Sequence, residues 1–108
     1  METKKQGINE AADDRVYKLS RPFTFEGQEY TKIILDFDKL TGKDLLSCEQ
    51  QLKSIIGPQE FLPVKGVDSR YQAIVASRAS GLPYEFFEEL PASDFSKVTQ
   101  RAQNFLFG

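Results

Sequence analysis

Four carboxylates lie close together in residues 81–95, which read GLPYEFFEELPASDF and include no lysine or arginine. They are Glu85, Glu88, Glu89 and Asp94. Two positioned carboxylates can act as general acid and general base, and most glycosidases use such a pair. Neighbouring residues of a helical turn point in different directions, however, and nothing in the sequence places two of these groups in one pocket. The spacing therefore favours a core made by Phe86, Phe87 and Leu90, with the acidic side chains solvated along its edge. A small acid–base enzyme that uses two of the carboxylates stays open as an alternative.

Other residue types that commonly carry chemistry are absent or wrongly spaced. The chain has no histidine, which removes the commonest general base near neutral pH and the commonest metal ligand. The single cysteine, Cys48, lies on an apolar helix face, which indicates a buried structural thiol. Gly42-Lys43 lacks the preceding glycine of a phosphate-binding loop, and Asp36 and Asp38 lack the ligand spacing of a calcium loop. We therefore predict no catalytic, cofactor-binding or metal-binding residues.

The composition is that of an ordinary globular protein. Of the 108 residues, 40% are hydrophobic and 28% are charged, which is typical of one folded domain. The net charge of −2 gives no reason to expect a nucleic-acid partner, and no apolar run approaches the roughly 20 residues of a membrane span. Because the first residues are polar, we predict a flexible N-terminal tail at 1–14 and a single α+β domain at 15–108.

The elements that would position these side chains begin with a predicted β-hairpin. Apolar and polar residues alternate near 16–25 and 28–37, and Glu26-Gly27 between them suits a tight turn because glycine adopts positive φ. Pro22 has no N–H for a strand ladder, which predicts an edge strand or a break there. The side chains expected on the core face are Val16, Phe23, Phe25, Tyr30, Ile33, Leu35 and Phe37.

A helix is predicted next. Thr41 is a suitable N-cap with Asp44 as its capping-box partner, and Gly57-Pro58 would end the helix. The linker that follows is rich in turn residues, and we expect its Phe61 and Leu62 to point inward. The buried face of the helix would carry Leu45, Cys48, Leu52 and Ile55, at spacings of three and four residues, with Ile56 alongside.

Three more helical segments complete the predicted fold. The first begins at Asp68 and ends at Gly81, and the second is a short helical turn over residues 83–90. The last begins at a Ser93 cap. Its buried face would carry Phe95, Val98, Ala102 and Phe105. Strands precede helices without β–α–β alternation, which predicts an α+β fold: an N-terminal antiparallel β-hairpin followed by a small bundle of three to four helices.

Several of these segments together resemble the tail assembly chaperones of contractile-tailed bacteriophages. The resemblance covers Tyr17 to Leu106 and rests first on the hairpin LSRPFTFEGQEYTKIILDF and the helix start LTGKDLLSCEQQL. It continues in the alanine-rich helix that runs into Gly-Leu-Pro at 81–83, and in Leu-Pro at 90–91 before Asp-Phe at 94–95. The linker at 57–67 and the N-terminal tail match nothing in the family, so no role is carried over to them.

The resemblance implies a function. Such chaperones are not enzymes; they bind the long, helical, apolar tape measure protein in the host cell cytoplasm, keep it soluble, and help tail tube subunits assemble around it. They are absent from the mature virion. The family often makes a longer product by programmed frameshifting, and Asn104-Phe105-Leu106 permits a slippery codon run at the matching place. Such a product would bring in the tail tube protein, and self-association into a homo-oligomer is left open.

The resemblance also supplies a partner for the acidic, aromatic segment. We expect Phe86, Leu90 and Phe95 to build core. We expect the partner-binding surface to comprise Tyr84, Phe87, Glu88 and Phe107. A generic protein-binding adaptor or regulatory domain would use the same surface, and a structural component of the phage tail or connector is a further alternative.

Overall fold

The computed structural model describes residues 13–57 and 59–108, and its elements confirm the predicted α+β fold. An antiparallel hairpin of β1 (Val16–Phe25) and β2 (Gln28–Ile34) comes first. The helices that follow in the described residues are α1 (Gly42–Ile56), α2 (Ser69–Ser80), α3 (Tyr84–Glu88) and α4 (Ala92–Phe107). The predicted tail at 1–14 lies almost wholly outside the described residues, so the tail and the domain boundaries at 15–108 stay predictions.

The hairpin turn and the break in β1 are where the sequence predicts them. Glu26 and Gly27 have φ values of 50° and 81°, and a two-residue turn of this kind matches the twist of the flanking strands. The strand pairing is irregular between Lys18 and Phe23, the segment that contains Pro22. Because proline has no N–H to donate, the ladder cannot run through it unbroken.

Two details of the predicted hairpin are wrong. The second strand ends at Ile34 rather than at residue 37, because Phe37 begins a short 3₁₀ turn. At the start of β1, Tyr17 and Leu19 are buried and Val16 is only half-buried. Side chains alternate between the faces of a strand, so Tyr17 and Leu19 share a face with the later phenylalanines of β1 and Val16 does not.

The predicted starts of α1 and α2 are confirmed by side-chain caps. Thr41 forms a capping box with Asp44, in which the Thr41 N–H donates to the Asp44 carboxylate at 2.8 Å. Asp68 accepts a hydrogen bond from the Arg70 N–H at 2.8 Å. At the other end of α2, Gly81 has a φ of 76°, which is the left-handed conformation that ends many helices.

Ser93 does not cap the last helix, so this prediction is wrong. The helix begins at Ala92, so its N-cap position is Pro91, two residues before the predicted cap, and Pro91 offers no side-chain acceptor. Ser93 is therefore already inside the first turn. The prediction weighed the hydroxyl alone, whereas Pro91 leaves the chain extended until Ala92, with a ψ of 143°.

The buried face of α1 also differs from the prediction at one position. Ile55 is 41% exposed, whereas Ile56, which was predicted alongside this face, packs against the core beside Leu45 and Leu52. Ile56 lies four residues after Leu52, so both fall on one side of the helix. Cys48 lies on the same face and is fully buried, as predicted.

Burial makes Cys48 unreactive. Removal from water raises the pKa of its thiol, even though nearby Arg78 acts in the opposite direction. In the native protein we expect a thiol reagent to modify Cys48 at least about 100-fold more slowly than in the urea-unfolded chain. Absorbance kinetics with an aromatic disulfide reagent measure this ratio. Similar rates in the two states would contradict the buried position.

The core is organised around α2, which contacts α1, α3 and α4. The alanines Ala73 and Ala76 are fully buried, and such small side chains let neighbouring elements approach closely. One apolar cluster joins α2 to the hairpin, α3 and α4, and a second joins it to α1 and the end of α4. The α1–α2 linker crosses the second cluster, with a 3₁₀ turn at Lys65–Val67.

Candidate partner-binding surface

The four carboxylates of the acidic segment do not form a shared site. Glu85, Glu88 and Glu89 are exposed on and just after α3, whereas Asp94 is fully buried. None of them lines the groove described below or the two shallower pockets. In the described part of the chain, no cluster of three or more histidine, cysteine or acidic side chains could hold a metal ion. The arrangement gives the acid–base alternative no support.

Asp94 instead ties α4 to the hairpin. Its carboxylate accepts hydrogen bonds from the Tyr17 hydroxyl at 2.6 Å, the Ser20 N–H at 3.0 Å and the Ser20 hydroxyl at 2.8 Å. Burial by itself raises the pKa of the Asp94 carboxyl, but the hydrogen bonds together outweigh burial and lower it. Burial and the bond to Asp94 raise the pKa of Tyr17 to about 12, so the phenol stays a donor. Asp94 is a structural residue.

Among the predicted partner-binding residues, Phe87 is in the wrong place. Its side chain is fully buried and its ring lies 5.2 Å from that of Phe86, centroid to centroid. The prediction that Phe87 faces a partner is therefore wrong. The physical reason is that α3 is only five residues long and packs against α2. The side chains of both adjacent phenylalanines are therefore buried in the first apolar cluster.

The other three predicted residues are at least partly accessible. Glu88 is exposed, and Tyr84 is half-buried between the two apolar clusters. Burial raises the pKa of the Tyr84 phenol, and the negative charge of Glu88 adds to the effect. Phe107 is 59% exposed, and it lies at the end of α4 against Gly66 of the linker. Phe107 thus contributes to the exposed apolar surface beside the linker.

That surface is formed by the α1–α2 linker. Phe61 is 82% exposed, and Val64 and Val67 are each more than half exposed. A Cβ placed on Gly66 would lie 2.8 Å from the Phe107 ring, so the ring covers the linker backbone beside Val67. We call Phe61, Val64, Val67 and Phe107 the linker surface. It contains four of the seven large apolar side chains that are exposed in the described residues.

Polar contacts hold the linker in this shape. The Gln72 amide donates to the Gly66 carbonyl at 2.8 Å and to the Gln103 side chain at 2.9 Å, which joins the linker to α2 and α4. The Arg70 guanidinium lies 2.8 Å from the Glu60 carboxylate. Leu62 packs into the second apolar cluster, as predicted, whereas the inward orientation predicted for Phe61 is wrong. Because Leu62 packs into the second apolar cluster, the side chain of the adjacent Phe61 remains at the surface.

A groove adjoins the linker surface. It has a volume of about 440 Å³ and lies between the C-terminal half of α1 and the linker. Its apolar floor is made by Leu52, Ile56 and Leu62. Its charged rim is made by Glu49, Lys53, Glu60 and Lys65. An apolar floor with a polar rim, next to exposed aromatic residues, has the character of a protein-binding surface.

The linker surface was missed in the sequence because its residues follow no helical or strand period. A signal was nevertheless present: Phe61, Val64 and Val67 are large apolar residues inside a segment rich in glycine and proline. Such a segment has little regular backbone with which to bury them. Within 13–57 and 59–108, no helix is long and apolar enough to cross a bilayer.

Comparison with known proteins gives the family. Residues 16–106 match the family described as "Phage tail assembly chaperone proteins, E, or 41 or 14". The chain belongs to the phage tail assembly chaperones. The matched residues include the hairpin, the four helices up to the last residues of α4, and three of the four residues of the linker surface. No curated protein and no solved structure is significantly similar to this chaperone.

Proposed function

We propose that this tail assembly chaperone binds the phage tape measure protein through the linker surface and keeps it soluble until tail tube subunits assemble around it. The observation that carries the proposal is the exposure of Phe61, Val64 and Val67 within one linker, together with the exposed Phe107 ring that lies against Gly66 of that linker. A tape measure protein is long, helical and apolar, so an exposed apolar surface on the chaperone could cover its apolar faces. Burial of these four side chains against a partner is the driving force.

The way in which the surface is held supports this proposal. Hydrogen bonds from Gln72 and the ion pair between Arg70 and Glu60 fix the linker before a partner arrives, so little ordering entropy is lost on binding. The surface is also small, and a small apolar contact gives moderate affinity. A chaperone has to release its client, and moderate affinity suits that task.

The remaining parts of the proposal follow from the family. A chaperone of this kind acts in the host cell cytoplasm, has no enzymatic activity and is absent from the mature virion. A longer product of the same gene would carry the contact with the tail tube protein. Mass spectrometry of the proteins made from the gene with its downstream DNA, and of purified virions, tests these points.

The test of the proposed surface is a double substitution, Phe61→Ser with Val64→Ser. Both side chains are exposed, so we expect the free energy of unfolding to change by less than about 0.5 kcal/mol. We expect the affinity for the tape measure protein to fall by about tenfold or more, because exposed aromatic residues of this kind dominate protein interfaces. The fraction of tape measure protein that stays soluble on co-expression measures the effect.

A matched control is Ile34→Ser. Ile34 is also a large exposed apolar residue, but it lies at the end of β2 and outside the linker surface. This variant should keep the tape measure protein as soluble as the unaltered chaperone does. Equal loss of solubility with the control, or no loss with the double variant, would contradict the proposed surface.

A further inference from the structure

The charged residues on the rim of the groove are not all ion-paired. Glu49 is paired with Lys65, with 3.8 Å between carboxylate and ammonium, and Glu60 is paired with Arg70 at 2.8 Å. Within the part of the chain that the structure describes, Lys53 has no such ion pair. Both acidic side chains of the rim are thus ion-paired, whereas the ammonium group of Lys53, beside the apolar floor, is not ion-paired within the described residues.

The face of α1 that borders the groove is arranged as a helix-packing surface. Glu49, Leu52, Lys53 and Ile56 follow the spacing i, i+3, i+4, i+7, which places them on one side of the helix. A second helix laid along this side would place apolar side chains over the half-buried Ile56 and Leu62, because Leu52 is only 3% exposed. Residues at the edge of the apolar face of this second helix, here called its flank, would lie next to Lys53.

We infer that the groove binds an amphipathic helix of the partner whose apolar face carries leucine-sized side chains and whose flank carries an aspartate or glutamate that pairs with Lys53. This inference rests on the proposed function, because it names the segment of the tape measure protein that the chaperone selects. The apolar floor supplies affinity, and Lys53 supplies register and selects acidic over basic flanks.

A second copy of the chain is a poorer occupant of the groove. The carboxylates beside its exposed apolar residues are already engaged: Glu60 and Asp68 with Arg70, and Asp44 with Arg78 at up to 4.0 Å. The last turn of α4, which carries Phe107, contains no acidic residue. Within residues 13–57 and 59–108, none of these three carboxylates is therefore free to pair with Lys53.

The experiment uses two synthetic amphipathic helices of about 18 residues, a length at which helices begin to be stable. Both carry a fluorescein label and the same leucines at i and i+4. One has glutamates on the flank of the leucine stripe, and the other has lysines. Fluorescence anisotropy with the full-length chaperone measures their affinities. We expect the glutamate peptide to bind about three- to fivefold more tightly, and the preference to weaken with salt.

The decisive variant is Lys53→Glu, which should reverse the preference so that the lysine peptide binds more tightly. Lys43→Glu is the matched control, because it makes the same charge change in the first turn of α1, away from the groove, and should leave the preference unchanged. An unchanged preference in Lys53→Glu, or no binding of either peptide, would overturn the inference.

Two further measurements separate this inference from the proposed function. If Lys53→Glu shows no reversal while the tape measure protein stays soluble and still depends on Phe61, the charge selection is wrong and the linker surface stands. Light scattering on the unaltered chaperone and on Lys53→Glu detects self-association. A dimer that dissociates in the variant would make a second copy the occupant and overturn the inference.

Discussion

Replacement of Phe86 by alanine is expected to lower the free energy of unfolding by about 3–5 kcal/mol, the largest effect of any single substitution considered for this chaperone. Phe86 is fully buried where α3 meets the hairpin. Truncation to alanine removes the apolar surface that the ring buries and leaves a cavity whose walls cannot fully collapse. Because total stabilities of small domains are about 5–15 kcal/mol, the variant should be close to unfolding.

The size of the expected effect comes from the number of ring contacts. Edge-to-face pairs join Phe86 to Phe23, Phe25, Tyr30 and Phe87, with ring centroids 5.0 to 5.4 Å apart. Such pairs contribute about 0.5–1.5 kcal/mol each beyond the buried area. Three of the four partners lie in the hairpin, so loss of the ring weakens the packing of the sheet against α3.

Urea unfolding followed by far-ultraviolet circular dichroism measures this change, since the chain has no tryptophan to report by fluorescence. Phe61→Ala is the matched control, because it removes the same atoms from a side chain that is 82% exposed. It should shift the free energy by less than about 0.5 kcal/mol. Equal effects of the two substitutions would contradict the placement of Phe86 at the centre of the core.

Replacement of Asp94 by alanine is the second large effect, with an expected loss of about 2–4 kcal/mol. The substitution leaves the Tyr17 hydroxyl without its acceptor in the interior and removes both bonds to Ser20. Asp94→Asn should cost less, because an amide oxygen still accepts from Tyr17 and the amide nitrogen can donate to the Ser20 hydroxyl. The alanine and asparagine variants thus separate lost hydrogen bonds from lost charge.

The pH dependence gives an independent check on Asp94. Since its pKa in the folded protein lies below the ordinary value of 3.8, the charged carboxylate stabilises the fold above that value. The stabilisation is lost as the pH falls through the lowered pKa. We therefore expect the difference in unfolding free energy between the unaltered protein and Asp94→Asn to shrink below about pH 4. A difference that grows in acid would contradict the direction of the shift.

The parts of the fold that the sequence predicted well depend on local chemistry. Thr41 with Asp44, and Asp68, cap helices through side-chain acceptors that act on residues two or three positions away. Gly81 ends α2 because it adopts a positive φ, and Pro22 interrupts β1 because it lacks a donor. Each of these effects is decided within a few residues, so neighbouring sequence is sufficient to predict it.

The binding surface could not be predicted in the same way, because exposure depends on what the rest of the chain covers. In α3 a single helical turn places Phe86 and Phe87 on different sides, and only the approach of α2 and the hairpin buries both. In the linker, Phe61 is exposed because neighbouring Leu62 takes the available core position. Phe107 was correctly expected at the surface, but the sequence could not show that it meets Gly66.

The most direct test of the central claim is photo-cross-linking from the linker surface. A photoreactive phenylalanine derivative replaces Phe61 in one variant and Ile34 in another, and each is co-expressed with the tape measure protein and irradiated. We predict a covalent adduct from position 61, identified by mass spectrometry as chaperone joined to tape measure protein, and none from position 34. An adduct from position 34 alone, or none from position 61 while the tape measure protein stays soluble, would contradict the account.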